Sequence, residues 1–329
     1  MSAPANARVA GERRSGRAIG RGSALQMRFA AIWIALAALL LLGAVIVPRS
    51  LLPSTIFAIV PLAAFLALAA AGEALVIMAR GIDLSIPAVI TLSSSILLGF
   101  SHGENANLWP AIIGALALAT AVGAINGLFV AVFELNALIV TLAVGAVTAG
   151  ATLWYRDGIP QESRVPPRLA TWGDTRLFGV NLAVWVAGLT LIALAVIVRR
   201  TTIGRRFVAV GANPQAAWVA GINVALYQMA SFTVAAFLYG VVGLLLSAFI
   251  RNPTLNVGDP YLLAPIAAAV LGGTAISGGL GSMIAVGGAA LFLTQLEQML
   301  KMLGLSSALQ FVIEGAAIAF GMGLGRLRK

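Results

Sequence analysis

Long apolar blocks alternate with short polar breaks along almost the whole chain. Apolar runs near 29–47, 54–79, 84–101, 109–132, 136–152, 181–198, 225–250, 261–275, 283–300 and 307–324 approach the length of a membrane-crossing helix, which needs about 20 apolar residues. The eighth run is short and the second long. Pro61, Pro87 and Pro265 lie in or beside these runs, where proline is better tolerated than in soluble helices. The pattern predicts an all-α fold, a polytopic membrane helix bundle of about ten transmembrane helices. It forms one domain over residues 29–325.

Composition supports a lipid environment. The chain is 60% hydrophobic and 10% charged, against about 25% charged in soluble domains. So few charges could not cover a soluble surface, whereas lipid accepts an apolar one. The net charge of +10 sits between the apolar blocks and forms no basic face of the kind that binds nucleic acid. Residues 1–28 carry Arg8, Arg13, Arg14, Arg17, Arg21 and Arg28. They read as a disordered basic cytoplasmic tail, because no small-residue cleavage site closes the first block. Ten spans put both termini on one side. With that side cytoplasmic, fourteen basic residues fall inside and seven outside, the bias expected of cytoplasmic loops. Trp109, Trp154, Tyr155, Trp185 and Tyr261 then fall near the outer ends of spans, a depth that suits amphipathic rings.

Several function classes are excluded. Without cysteine there is no disulfide, thiolate metal site or cysteine nucleophile. The single histidine, His102, lies in the polar stretch 101–107 and reads as a solvated loop residue. Neither Lys301 nor Lys329 follows a glycine-rich phosphate cradle. The reading is therefore no enzyme, no cofactor and no metal. Uphill transport would need an ion gradient or another subunit.

The most informative polar segment is 211–223. Asn213 suits a helix N-cap, Pro214 the first helical position and Gly221 the C-terminal stop. Gln215, Ala216 and Ala217 are slim, and Trp218 is the one large ring. Such a helix can dock into a partner's groove or lie on lipid headgroups. The longest outer connection, about 153–180, reads as a docking surface or a plain solvated loop.

Two apolar blocks are broken by flexible polar steps, at 81–85 and 277–282, as in transporters with interrupted repeats. Asp83, beside Ser85, could cap the helix that follows or meet a substrate. Gly272, Gly273, Gly278 and Gly279 permit either close helix contact or a broken helix. Glu73 and Glu314 lie within spans and could face water or pair with a polar neighbour. Ser93, Ser94, Ser95, Asn126 and Thr141 could meet sugar hydroxyls, although span serines commonly bond back to their own helix.

Gln215-Ala216-Ala217 with Gly221 and Ile222 resembles the "EAA…G" coupling loop of ATP-binding-cassette import permeases. Glutamine stands where the acid is usual, and the distal Leu-Pro element is missing, as in the ribose-type branch. Residues 80–85 resemble that branch's "GGIDLS" segment, and Asn126-Gly127 with 135–142 its fourth and fifth span junction. Residues 271–282 resemble its "GGTSLSGGRGS" signature, with leucine for arginine at 280. Together these cover roughly 30–325.

The resemblance implies a monosaccharide importer permease in the bacterial inner membrane, working by alternating access. It implies a cytoplasmic loop of about 199–224 that docks an ATP-binding-cassette ATPase through Asn213–Ile222. It also implies a periplasmic sugar-binding protein and a second permease copy, identical or closely related. Asp83, Ser85, Asn126, Thr141 and the four glycines would belong to the path or its helix breaks. The alternatives are an ion-gradient-driven transporter acting alone, resting on Glu73, Asp83 and Glu314, and a membrane scaffold.

Overall fold

A computed structural model describes residues 29–160 and 163–306, with 309, 312, 313, 315 and 316 beyond them. The basic segment 1–28, most of the tenth apolar run and Glu314 lie outside the described residues. The fold is all-α apart from one hairpin. Seven helices among the described residues are long and apolar enough to cross a membrane. They are α1 (Phe29–Ile46), α2 (Pro53–Met78), α4 (Leu108–Ala131), α5 (Ala137–Arg156), α7 (Leu182–Arg200), α10 (Val224–Ile250) and α12 (Met283–Met302). Two apolar helices are shorter, α3 (Ile86–Ser101) and α11 (Ala264–Leu271).

Length separates these groups. The 26 residues of α2 span about 39 Å at the helical rise, more than the roughly 30 Å hydrocarbon core. The 16 residues of α3 reach about 24 Å and the eight of α11 about 12 Å. Irregular backbone at 79–85 and 272–282 joins these short helices to their neighbours. The expected eighth span, 261–275, is thus cut at Leu271.

Asparagine and threonine punctuate the helices. Asn136, Asn181, Thr201, Asn213 and Asn223 each accept a backbone N–H of the helix that follows, at 2.9–3.1 Å. Such a cap is typically worth about 1 kcal/mol. Two polar connections are more structured than their sequence suggests. The segment after α7 holds α8 (Thr202–Ala212) before α9 (Pro214–Val219). The long 153–180 connection holds α6 (Pro167–Asp174) and a hairpin of β1 (Arg176–Leu177) and β2 (Val180–Asn181).

At the centre, α10 packs on α4, α2 and α3, and α2 also meets α12, α11 and α7. Phe65, Leu68, Ile77, Ile90, Phe232 and Tyr239 are fully buried there. Ile34 and Val45 on α1, Ile113 on α4, Ile139 on α5, and Leu189 and Ile192 on α7 stay exposed. An apolar outer surface of this kind fits lipid. Tyr261, expected at an interface, is instead buried.

The connections sort to two ends. At one, Val165 N–H donates to the Arg251 carbonyl (3.0 Å) and Arg168 N–H to Asn105 Oδ1 (2.9 Å). There Arg251 also pairs with Asp174, and Trp109 meets Trp172. At the other, 79–85, 201–223 and 272–282 converge: Gly279 N–H donates to the Met78 carbonyl (2.8 Å), and Arg80 reaches Gly211 and Ala212. Phe29, which opens α1, lies at this α9 end beside the Arg199 guanidinium (5.8 Å).

Candidate functional site

The first break is enclosed by four helices. Glycines let them close in: a Cβ on Gly72 would lie 2.7 Å from the Tyr239 ring, and one on Gly145 3.2 Å from Ser85 Cα. Backbone that is neither helix nor sheet survives at membrane depth only inside protein, and its polar groups need partners. Buried side chains supply them. Glu73 on α2 accepts the Asp83 N–H at 3.3 and 3.4 Å and the Tyr239 hydroxyl at 3.2 Å. Asp83 Oδ1 accepts the Ser85 N–H (2.8 Å) and hydroxyl (2.6 Å). Asn126 Nδ2 donates to Ser85 Oγ (2.9 Å). Thr141 Oγ1 accepts the Leu84 N–H (3.0 Å) and donates to the Ala137 carbonyl (2.8 Å). Gln228 Nε2 donates to the Ala79 carbonyl (3.3 Å).

Asp83, Ser85, Asn126 and Thr141 therefore meet in one buried cluster. Asp83 caps differently from the sequence reading: it holds the N–H of Ser85, the N-cap residue of α3, and no N–H within the helix. Glu73 is fully buried and pairs with polar neighbours. Neither acid makes an ion pair among the described residues. Asp83 Oδ2 and Asn126 Oδ1 have no hydrogen-bond partner among the described residues. Tyr239 and Gln228 were missed from sequence, since a polar residue within a 27-residue apolar helix reveals no partner. Of the serines, Ser93 donates to the Gly240 carbonyl (2.9 Å). Ser94 donates to Gly243 (3.0 Å) as well as to its own helix at Ile90 (3.0 Å). They fasten α3 to α10.

The four glycines of the second break divide in role. Gly272 is a contact, since a Cβ there would sit 2.7 Å from the Val286 backbone. Gly273 (φ 87°) ends α11 in a Schellman motif, with its N–H on Val270 and the Thr274 N–H on Ala269. Gly278 and Gly279 form a turn (φ 87° and 73°) pressed against Gly211 and Ala212.

The segment from Asn213 to Ile222 has the anticipated form. Asn213 Oδ1 accepts the Ala216 N–H (3.1 Å), and Pro214 opens α9. Gly221 N–H on Trp218 and Ile222 N–H on Ala217 close a Schellman motif around Gly221 (φ 77°). Ala217 is buried, and Gln215 and Ala216 are exposed. Trp218 is 72% and Val219 79% exposed.

Two helix breaks thus pack against the root of a capped surface helix, in a chain whose sequence places it among the permease components of transport systems. The chain belongs to the family described as "Branched-chain amino acid transport system / permease component", which matches residues 55–320. It is similar to the ribose import permease protein of Escherichia coli K12, 31% identical over 87% of this chain and 89% of the relative. It is also similar to the ribose import permease protein of Bacillus subtilis 168, 32% identical over 88% and 89%. A third relative is the galactose/methyl galactoside import permease protein of E. coli K12, 30% identical over 79% and 82%. The resemblance to ribose-type permeases therefore holds along most of the sequence. The chain is a multi-pass membrane transport subunit, not an enzyme. No solved structure matches it.

Proposed function

We propose that the chain is the membrane-spanning permease of an ATP-driven importer for a monosaccharide or similar small polyol in the bacterial inner membrane. The sugar class follows the named relatives, which import ribose and galactose. One observation carries the coupling: α9 leaves Trp218 and Val219 exposed at the bundle end where both helix breaks meet. Exposed apolar rings are costly in water and suit the anchor of an interface. The partner on this helix is a cytoplasmic ATP-binding-cassette ATPase. A periplasmic sugar-binding protein delivers cargo at the α6 end, and a second permease copy completes the path by alternating access.

The topology is ten spans with both termini cytoplasmic, in one domain over 29–325. Nine described apolar helices alternate between the two ends, starting at the α9 end. The tenth crossing expected at 307–324, most of which lies outside the described residues, would return the C-terminus to it. Asn213–Ile222 are the coupling residues. Asp83, Ser85, Asn126, Thr141 and the four glycines are the hinges of the path rather than ligands for cargo. An ion-gradient mechanism would draw on Glu73 and Asp83; both Glu73 oxygens and Asp83 Oδ1 already hold backbone N–H groups.

The test is ribose and galactose uptake by proteoliposomes containing the chain with its ATPase and binding protein. Uptake should require ATP and all components. Uptake by the chain alone under a proton or sodium gradient would overturn the proposal.

A further inference from the structure

Four helices, α2, α9, α11 and α12, end in the same Schellman geometry, with a left-handed residue just past the end. In α9, α11 and α12 that residue is glycine, at 221, 273 and 304. In α2 it is Arg80 (φ 71°): its N–H bonds the Ile77 carbonyl and the Gly81 N–H bonds Val76. Glycine adopts this conformation freely, and a side chain adopts it at a cost. An arginine here points to a task for its side chain.

The side chain spans two elements. Arg80 Nε donates to the Gly211 carbonyl and Nη2 to the Ala212 carbonyl, both at 2.7 Å. These carbonyls close α8, where a cation is favoured by the helix dipole and by the unpaired acceptors. Asn213, the next residue, caps α9. The arginine fork thus grips the root of α9, 131 residues away in sequence. Backbone meets backbone at the same junction. A Cβ on Gly211 would lie 1.9 Å from the Met78 carbonyl and 2.6 Å from Gly279 N. A Cβ on Gly278 would lie 2.5 Å from Arg80 Cγ. The end of α2, the root of α9 and the turn of the second break have no slack between them.

We infer that Arg80 is the positioning residue that transmits displacement of α9 to the two helix breaks, at 79–85 and 272–282. This rests on reading α9 as the ATPase-docking helix. A push on α9 moves Gly211 and Ala212. The guanidinium carries that movement to the end of α2, and the Gly279–Met78 bond carries it to the second break. The grip needs a rigid two-pronged donor, and lysine can supply only one prong.

The absence of native cysteine permits a direct test. Spin labels go on Leu135→Cys and Ile276→Cys, both exposed at the α9 end. The label-to-label distance is measured in the complex with the ATPase, with and without ATP and vanadate. Arg80→Gly keeps the backbone relaxed, so it should fold and retain the ATPase as the parent does. Its nucleotide-dependent distance change should vanish, and uptake per ATP hydrolysed should fall at least tenfold. Arg80→Lys should restore part of both. A full distance change in Arg80→Gly would overturn the inference and leave docking intact. Loss of the ATPase from Arg80→Gly alone would also overturn it, because Arg80 would then hold the docking helix rather than transmit. A parent chain that retains no ATPase would remove the docking reading itself.

Discussion

Gly221→Arg separates docking from folding. The position is exposed, and a Cβ built there meets nothing within 4 Å. The substitution therefore has no steric cost inside the chain. Its cost is conformational: φ is 77°, and a non-glycine residue in that region loses roughly 1–2 kcal/mol. Against a stability of about 5–15 kcal/mol this leaves the protein folded, with a melting temperature lowered by a few degrees. Gly221→Ala carries the same backbone cost without the bulk or charge. The two variants should match in membrane yield and thermal stability in detergent. They should differ in function: alanine keeps most of the uptake, whereas arginine, beside Trp218 on the proposed docking face, holds the ATPase off and brings uptake to background. Affinity for the ATPase, measured by titration in nanodiscs, should fall at least tenfold, or about 1.4 kcal/mol. Unchanged affinity in Gly221→Arg would refute the docking role of α9. Equal loss of uptake in both variants would trace the defect to backbone strain.

Trp218→Ala removes a ring that is 72% exposed, so thermal stability should hold while affinity for the ATPase drops by about 2 kcal/mol, roughly 30-fold; an unchanged affinity would exclude the ring as the anchor. Asp83→Ala strips the buried Ser85 N–H and hydroxyl of their acceptor and should destabilise by about 1–3 kcal/mol for each unpaired group. Tyr239→Phe, losing one bond to Glu73, should cost about 1 kcal/mol. Thermal unfolding in detergent ranks the two, and an Asp83→Ala protein that is fully stable yet transport-dead would make Asp83 a cargo ligand instead. An impermeant maleimide should label a single cysteine at Phe178 (95% exposed) in intact cells, and one at Val219 (79% exposed) only after the membrane is permeabilised; labelling of both in intact cells would contradict the ten-span topology.

Much of the fold was legible because membrane helices announce themselves by length and apolarity. The ends of α2, α4, α10 and α12 fall within about two residues of the expected spans. The caps of α9 were legible because Asn213, Pro214 and Gly221 act locally. What could not be read were partnerships set by packing. Glu73 and Tyr239 lie 166 residues apart and meet only because Gly72 brings α10 close. Amphipathic α8 was hidden in a stretch that reads as a basic loop. Arg80 looked like one more inward positive charge. The ribose-type signature carries arginine at 280, where this chain has leucine. The stem of Arg80 packs beside the neighbouring Gly278 instead, with its guanidinium on the Gly211 and Ala212 carbonyls.

Most of the polar side chains buried at the first break hold backbone groups. Two short helices leave irregular chain packed against the bundle, and each free buried N–H or carbonyl there would cost several kcal/mol. Glu73, Asp83, Thr141 and Gln228 each satisfy such a group, and Ser85 and Asn126 extend the network. Of this cluster only Asp83 Oδ2 and Asn126 Oδ1 keep a free acceptor among the described residues, few for a sugar whose hydroxyls demand dense hydrogen bonding. On the proposed function, selectivity would rest mostly with the binding protein that delivers the cargo, and the permease would contribute motion. That division agrees with where the close contacts lie. Close backbone approaches at Gly211, Gly278 and Gly279 join the two breaks to the root of α9. A junction without slack passes on a displacement that a loose one would absorb, since packed interiors have low compressibility.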